Sequence, residues 1–196
     1  MKRLILASNS PRRKELFSLF GWPFEVVPAD IDETRLPGED PKDYVRRLAC
    51  EKAEAVAKVK TGLVIAADTI VADGDELLGK PADEAEARQM LVQLRGRTHQ
   101  VYTGIAIIDT DTGQTFDDVV QTDVLMRNYS EAEVKAYIAS GDPMDKAGAY
   151  AIQNPGFHPV QSLNGCYASV MGLPICRLTV GLGQFGLTPS EDLFDR

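Results

Sequence analysis

The sequence predicts an α/β fold: a mixed, twisted sheet with long antiparallel strands, flanked by amphipathic helices. Three observations point there. The chain opens on an apolar run, "RLILAS", that turns sharply into "SPRRKELFSLFG", a helix pattern with its own start and stop signals. Apolar residues then recur at helical spacing in "DYVRRLACEKAEAVAKV". Farther on, two β-rich runs, "HQVYTGIAIIDT" and "QTFDDVVQTDVLMRN", flank a turn-prone "DTG" and are expected to pair antiparallel.

Taken in order, residues 3–8 read as a buried strand, followed by a helix with Ser10 as N-cap, Pro11 at its first position and Gly21 past its end. "FEVVPADIDE" alternates enough for a second strand that closes on Asp32 and Glu33, after which "TRLPGEDP" is a loop. Val45, Leu48, Ala49, Ala53, Val56 and Ala57 mark the apolar face of the next helix. "GLVIAADTIVADGDELLGKP" reads as a central strand running into a hairpin at Asp73-Gly74. "DEAEARQMLVQLRG" is a helix capped by Asp83 and closed by Gly96. After the two long β-runs, "SEAEVKAYIASG" carries Ser130 and Glu133 in capping-box register with Gly141 as its stop. A Gly/Pro-rich loop, a helix candidate at "GLPICRLTVGL" and a polar tail complete the chain. No internal repeat and no Pro/Gly/Ser linker divides the 196 residues, so residues 1–196 are expected to form one domain.

Composition narrows the function. The 21 basic and 29 acidic side chains leave a net charge of −8, which argues against nonspecific attraction to nucleic acid or an anionic membrane. Any polyanion it binds must therefore meet a local basic cluster. Three cysteines, Cys50, Cys166 and Cys176, show neither CxxC nor metal-finger spacing, which favours reduced thiols and a cytoplasmic location. Cys50 and Cys176 are expected to pack in the apolar interior. No stretch approaches the ~18 apolar residues of a membrane span.

The basic cluster stands in "LILASNSPRRKEL". A helix N-terminus offers unpaired N–H groups and about half a unit of positive charge, which makes it an anion site. Ser8, Asn9 and Ser10 supply polar groups to the turn, and Arg12 and Arg13 add two guanidinium forks suited to phosphate oxygens. This pattern is a phosphate cradle without the spacing of a Walker A loop. A capped surface helix with solvated arginines is the plain alternative on this stretch alone.

Asp68 is an acid inside "VIAADTIVA", where burial of a carboxylate demands a cation, a metal or donors. Asp32 or Glu33 could meet it and hold a hard divalent ion, since magnesium takes one or two carboxylates together with substrate phosphate oxygens. Lys52 and Lys80 could each supply a point charge to phosphate. "DKAGAYAIQ", with Tyr150 and Gln153, could line a base pocket, although a loop entering a strand is the simpler reading. The two histidines, His99 and His158, are too few and too separated to argue for a catalytic triad.

In order along the chain stand "LASNSPRR", "DIDE", "EKA", "AADTIV", "GKP", "HQVYTG", "DKAGAYAIQ" and "GCYASVMGLPI". With these eight motifs the sequence resembles the Maf family of nucleoside triphosphate pyrophosphatases from about residue 4 to residue 180. The resemblance implies a two-lobed α/β fold of the inosine-triphosphatase kind with a groove between its lobes. It also implies metal-dependent hydrolysis of a nucleoside triphosphate to monophosphate and pyrophosphate, with Mg²⁺ or Mn²⁺, and a homodimer.

Matched residue by residue, Ser8, Ser10, Arg12 and Arg13 fall on the family's phosphate-binding signature, and Glu33 and Asp68 on its catalytic and metal-associated acids. Lys52 and Lys80 match its phosphate-facing lysines. Arg12, Thr69 and Gln153 match positions of substrate choice and look like the branch acting on dTTP and UTP. After the glutamine the family usually has glycine; here Asn154 and Pro155 follow, and an "FVE"-like segment is replaced by "HPVQSL". On this reading Asp68 is the general base for a water attacking the α-phosphorus. Two other readings are a nucleotide-binding regulator of cell division, since the family is linked to septum formation, and an RNA-binding module. The acidic balance and the lack of interleaved basic and aromatic residues count against the RNA reading.

Overall fold

Strand β1 is short, Leu4–Leu6, and all three of its side chains are buried. The structure, a computed structural model, describes residues Lys2–Pro189. Burial on both faces, at roughly 2 kcal/mol per large aliphatic side chain, makes this run a central strand. It pairs in parallel with β2 (Phe24–Val26) on one side and with β3 (Leu63–Asp73) on the other. At its far end β3 folds back on β4 (Glu76–Leu78) through the expected Asp73-Gly74 turn, with Gly74 at φ 63°.

The hydrogen-bonding order of the sheet is β2-β1-β3-β5-β6-β7, where β5 is Thr98–Asp109, β6 is Thr115–Met126 and β7 is Val160–Asn164. Parallel pairs at β1 and antiparallel pairs at β4 and β7 make it mixed, as the sequence predicts. Strands β5 and β6 are neighbours across the "DTG" turn, where Asp109 N–H donates to the Gln114 carbonyl at 2.9 Å.

The second strand is shorter than the alternation suggests. It ends at Val26, so Asp32 and Glu33 stand in the following loop and not at a strand end. The partner strand β1 offers only three residues, and Pro28 has no N–H to continue a ladder.

The helices follow their caps. α1 (Pro11–Ser18) starts on Ser10, whose Oγ accepts from Arg13 N. α2 (Pro41–Ala57) starts on Asp40, whose side chain accepts from Lys42 N. α3 (Glu84–Leu94) starts on Asp83, and α4 (Glu131–Ala139) carries the complete Ser130/Glu133 capping box. α5 (Tyr167–Val170) is a single turn, and α6 (Ile175–Gln184) is the apolar helix near the end. None of the described helices is long and apolar enough to cross a membrane.

The described chain forms two compact units. The first holds the chain through Asp68, Thr103–Val120 and the chain from Gly172; the second holds Thr69–Tyr102 and Gln121–Met171. Ile5, Ala7, Ala49, Ala53, Val56, Val64, Ala66 and Ala106 pack together in the first. In the second, Leu91, Leu94, Val124, Met126, Tyr129 and Val134 are among the residues that close the core around α3 and α4.

Two glycines of the recognised motifs are packing requirements. A Cβ on Gly104 would lie 2.3 Å from the Val45 carbonyl oxygen, so "HQVYTG" ends in glycine because α2 lies directly on β5 there. Gly148 of "DKAG" has φ 66°, and its Cβ would meet the Val71 side chain at 3.0 Å. The segment it belongs to is two 3₁₀ turns, Asp142–Asp145 and Ala147–Ala149, followed by an irregular loop up to β7. Cys176 is exposed and Cys50 half-buried; both are free thiols, as is Cys166. The expected interior packing of Cys176 is thus corrected: Ile175, Leu178 and Leu182 take the buried face of α6, and Cys176 lies one step of about 100° away.

Candidate active site

Lys52 organises the acidic half of the site. On α2 the buried positions are Val45, Leu48, Ala49, Lys52, Ala53 and Val56, so a lysine sits on the apolar stripe, one heptad after Val45. A buried ammonium requires opposite charge. Its Nζ lies 2.6 Å from Asp68 Oδ1 and 2.6 Å from Glu33 Oε1. Both expected acids therefore converge on one cation.

They differ in setting. The Asp68 side chain is 10 % exposed, on a strand buried nearly throughout, whereas that of Glu33 is 57 % exposed on a loop. Asp32 takes no part in this meeting. Its Oδ1 accepts from Thr34 N at 2.9 Å and Thr34 Oγ1 at 2.6 Å, bonds that hold the carboxyl below the usual carboxylate range.

The loop bearing Glu33 is tied to α2 by two residues the sequence reading did not single out. Tyr44 Oη donates to the Glu33 carbonyl at 2.8 Å. Burial first, and then the carboxylates of Asp68 and Glu33, push the Tyr44 phenol up from its ordinary value. Arg47 donates to the Thr34 carbonyl at 3.1 Å and grips both oxygens of Glu39, at 2.6 and 2.8 Å. That fork lowers the Glu39 carboxyl and raises the guanidinium. Arg47 is two positions past Val45 on the helix, and its pairing with a loop acid carries no local sequence signature.

The cationic half is the turn into α1. Ser8, buried, accepts from Ser10 N at 3.2 Å and from Arg13 Nη1 at 3.3 Å. Ser10 Oγ accepts from Arg13 N at 3.4 Å, and Arg13 Nε donates to the Gly172 carbonyl at 2.9 Å. The Arg13 guanidinium is thereby aimed by two groups, Ser8 Oγ and the Gly172 carbonyl, and its backbone by Ser10. Burial pulls its pKa down, while Asp68 and then Glu33 oppose this and Arg12 adds to it. It stays cationic, as a guanidinium does in a protein, and the four interacting groups share one electrostatic neighbourhood. Arg12 is half-buried on the same first turn of α1. Asn9 sits at the elbow, where its Oδ1 accepts from Lys14 Nζ at 3.4 Å.

The remaining expected residues belong to the second unit. Thr69 follows Asp68 on β3 and is half-buried. Lys80 is exposed, one residue beyond Gly79, whose carbonyl accepts from Gly148 N at 3.0 Å. Gln153 is half-buried in the loop after the second 3₁₀ turn.

The donor set suits a hard divalent ion in one respect: two carboxylates point at a single spot that a cation already fills. Among the described residues no group of three or more His, Cys, Asp or Glu could hold a metal without further ligands. A metal here would draw on Glu33, Asp68 and oxygens brought by its ligand, the sparse protein ligation magnesium accepts.

Residues 3–185 match the family model described as Maf-like protein. The chain is 50 % identical over 188 residues, 95 % of its length and 92 % of the relative's, to a dTTP/UTP pyrophosphatase of Bacillus cereus (strain ATCC 10987 / NRS 248). It is 48 % identical over 95 % of its length to a protein of the same name from Bacillus anthracis, covering 97 % of that relative. Among solved structures, the Staphylococcus aureus Ham1 protein has the same fold, with a TM-score of 0.50 at 19 % identity over 81 % of this chain and 80 % of that one.

Proposed function

Because the chain belongs to the Maf family, we propose that it is a metal-dependent dTTP/UTP pyrophosphatase, releasing the nucleoside monophosphate and pyrophosphate. The observation that carries the reading is the meeting of Glu33 and Asp68 on Lys52, in one electrostatic neighbourhood with Arg12 and Arg13, in a chain half identical to proteins of that name. Attack at the α-phosphorus rests on the relatives, whereas phosphate binding has independent support in the elbow before α1.

Each residue then has a task. Arg13, pre-aimed by Ser8 and the Gly172 carbonyl, binds phosphate oxygens, and Arg12 and the positive end of the α1 dipole add charge beside it. Asp68 accepts the proton of the water whose oxygen forms the new bond to the α-phosphorus. The bond from that phosphorus to the bridging oxygen breaks, and pyrophosphate leaves with the electron pair. Lys52 fixes the position of the Asp68 carboxylate before transfer and offsets charge on the phosphate during it. Glu33 and Asp68 would hold Mg²⁺ or Mn²⁺, which lowers the pKa of a water and offsets oxyanion charge. Lys80 enters from the family pattern as a phosphate-facing lysine, and Arg12, Thr69 and Gln153 as the residues of substrate choice. A reduced, cytoplasmic homodimer completes the reading, supported by free thiols and by the family.

The test is product analysis with dTTP, UTP, CTP and dGTP, with and without Mg²⁺. Monophosphate and pyrophosphate in equal amounts from dTTP and UTP, abolished by EDTA and restored by Mg²⁺, are expected. Orthophosphate with nucleoside diphosphate would refute the bond assignment, and undiminished turnover in EDTA would refute the metal. If Asp68→Asn kept full hydrolysis, the base assignment would fall.

A further inference from the structure

Gln153 is followed by asparagine where the family usually has glycine, and that asparagine uses every polar atom of its side chain. Asn154 Nδ2 donates to Asp142 Oδ2 at 3.0 Å, while its Oδ1 accepts from Gly156 N at 3.0 Å and Phe157 N at 2.8 Å. One side chain therefore caps the turn after Gln153 and fastens it to another segment.

The far end of that fastening is itself immobilised. Asp142 Oδ2 also accepts from Tyr137 Oη at 2.7 Å, and Asp142 Oδ1 from Lys146 Nζ at 2.9 Å. Lys146 is 6 % exposed and further bonded to the Asp142 carbonyl at 2.5 Å and Asp145 Oδ1 at 2.6 Å. The circuit closes on the other side of Gln153, where Ala151 N donates to Tyr137 Oη at 3.1 Å. Gln153 thus sits inside a bracket: residue 151 is held by Tyr137, residue 154 by Asp142, and these two are bonded to each other. The Tyr137 ring also stacks on Phe157, with centroids 4.3 Å apart. A glycine at 154 would leave the bracket open on one side.

We propose that Asn154 is a positioning residue for nucleobase selection, which through Asp142 holds the peptide of Gln153 in the conformation that reads the base. This rests on the reading that Gln153 is the base-facing residue. The physical reason is preorganisation. An amide distinguishes a 4-oxo from a 4-amino pyrimidine only when its donor and acceptor are fixed in direction, and a loop that must be ordered at each encounter spends binding energy on ordering.

The decisive variant is Asn154→Asp. It keeps an oxygen to accept from Gly156 and Phe157 but turns the donor facing Asp142 into a second carboxylate oxygen. The comparison set is Gln153→Ala, Asn154→Gly and the exchanged pair Asp142→Asn with Asn154→Asp. For each, kcat and KM are measured for UTP and CTP, and hydrogen exchange is followed in the peptide spanning 151–158. Both single Asn154 variants should narrow the UTP/CTP ratio of kcat/KM about tenfold, the equivalent of one good hydrogen bond, mainly through KM for UTP. Exchange in 151–158 should quicken, and the exchanged pair should recover part of the ratio. An unchanged ratio in Asn154→Asp, beside a narrowed one in Gln153→Ala, overturns the positioning role alone. An unchanged ratio in Gln153→Ala removes the base-reading assignment, and this inference with it.

Discussion

Acidification from pH 7 to pH 4.5 should act on the second unit chiefly through His99. It is fully buried; its Nε2 lies 2.8 Å from Tyr150 Oη, and its Nδ1 has no hydrogen-bond partner among the described residues. A protonated imidazole would need acceptors at both nitrogens, so burial depresses its pKa from 6.5 to about 4, against a weak opposing pull from Asp73. The sign follows from proton counting. Between pH 6.5 and 4 the unfolded chain holds a proton on His99 that the folded chain lacks, so folding stability falls as pH falls through that window. At pH 7 both states are neutral there and the contribution is nil. The full difference of pKa values is worth about 3 kcal/mol, and roughly 2.5 kcal/mol of it should be lost by pH 4.5. Urea denaturation at pH 7.5, 6, 5 and 4.5 measures it, with His99→Gln as the control that cancels the carboxylates and the exposed His158. The wild-type curve should fall about 2.5 kcal/mol further than the control by pH 4.5. Parallel pH dependences would refute the argument, as would an NMR titration of the native His99 ring with a midpoint near 6.5.

Other substitutions read the site directly. Lys52→Met leaves Glu33 and Asp68 without their shared cation; pyrophosphate release should fall at least ~100-fold, and urea stability by about 2 kcal/mol, below the roughly 3–5 kcal/mol of a fully buried pair because Glu33 is more than half exposed. Arg13→Lys keeps the charge but cannot bond Ser8 Oγ and the Gly172 carbonyl as a fork, so KM should rise about tenfold in steady-state assays while Arg13→Ala loses more. Gly104→Ala forces a Cβ to 2.3 Å from the Val45 carbonyl and should cost about 3 kcal/mol in urea, with activity falling in the fraction that stays folded.

What the sequence made legible was local chemistry. Ser10 with Pro11, Asp83, and Ser130 with Glu133 announced their helices because a cap is a bond between residues three apart, written into adjacent positions. Asp68 was conspicuous because an acid in an apolar run needs an explanation, and Lys52 supplies it from sixteen positions away. The losses came where partners decide. The alternation in "FEVVPADIDE" promised a long strand, but a strand lasts only as long as its neighbour, and β1 offers three residues. β7 escaped notice because "VQSLN" has little apolar pattern and is a strand by virtue of β6 alone. Tyr44 and Arg47 were invisible because they fasten a loop to a helix through backbone carbonyls, whose positions no residue identity reveals.

Those two residues explain how a carboxylate on an exposed loop can belong to a defined site. Tyr44, Arg47 and Lys52 all stand on α2: the first two hold the backbone of the Glu33 loop, and the third receives its side chain. The same helix is fixed to β5 where Val45 meets Gly104, a contact too close for any side chain. Asp68 comes from β3, the sheet neighbour of β5, and reaches α2 through Lys52. The helix is therefore the common reference for both acids, one rigid and buried, the other exposed and tethered. That division suits their proposed roles, since Asp68, a general base as well as a metal ligand, must keep its direction, while Glu33, a metal ligand alone, must tolerate arrival and departure of the ion. It also makes a geometric demand: shifting α2 by even a few tenths of an ångström at Gly104 should disturb Glu33 more than Asp68, because only Glu33 depends on the helix for its backbone as well as its charge partner.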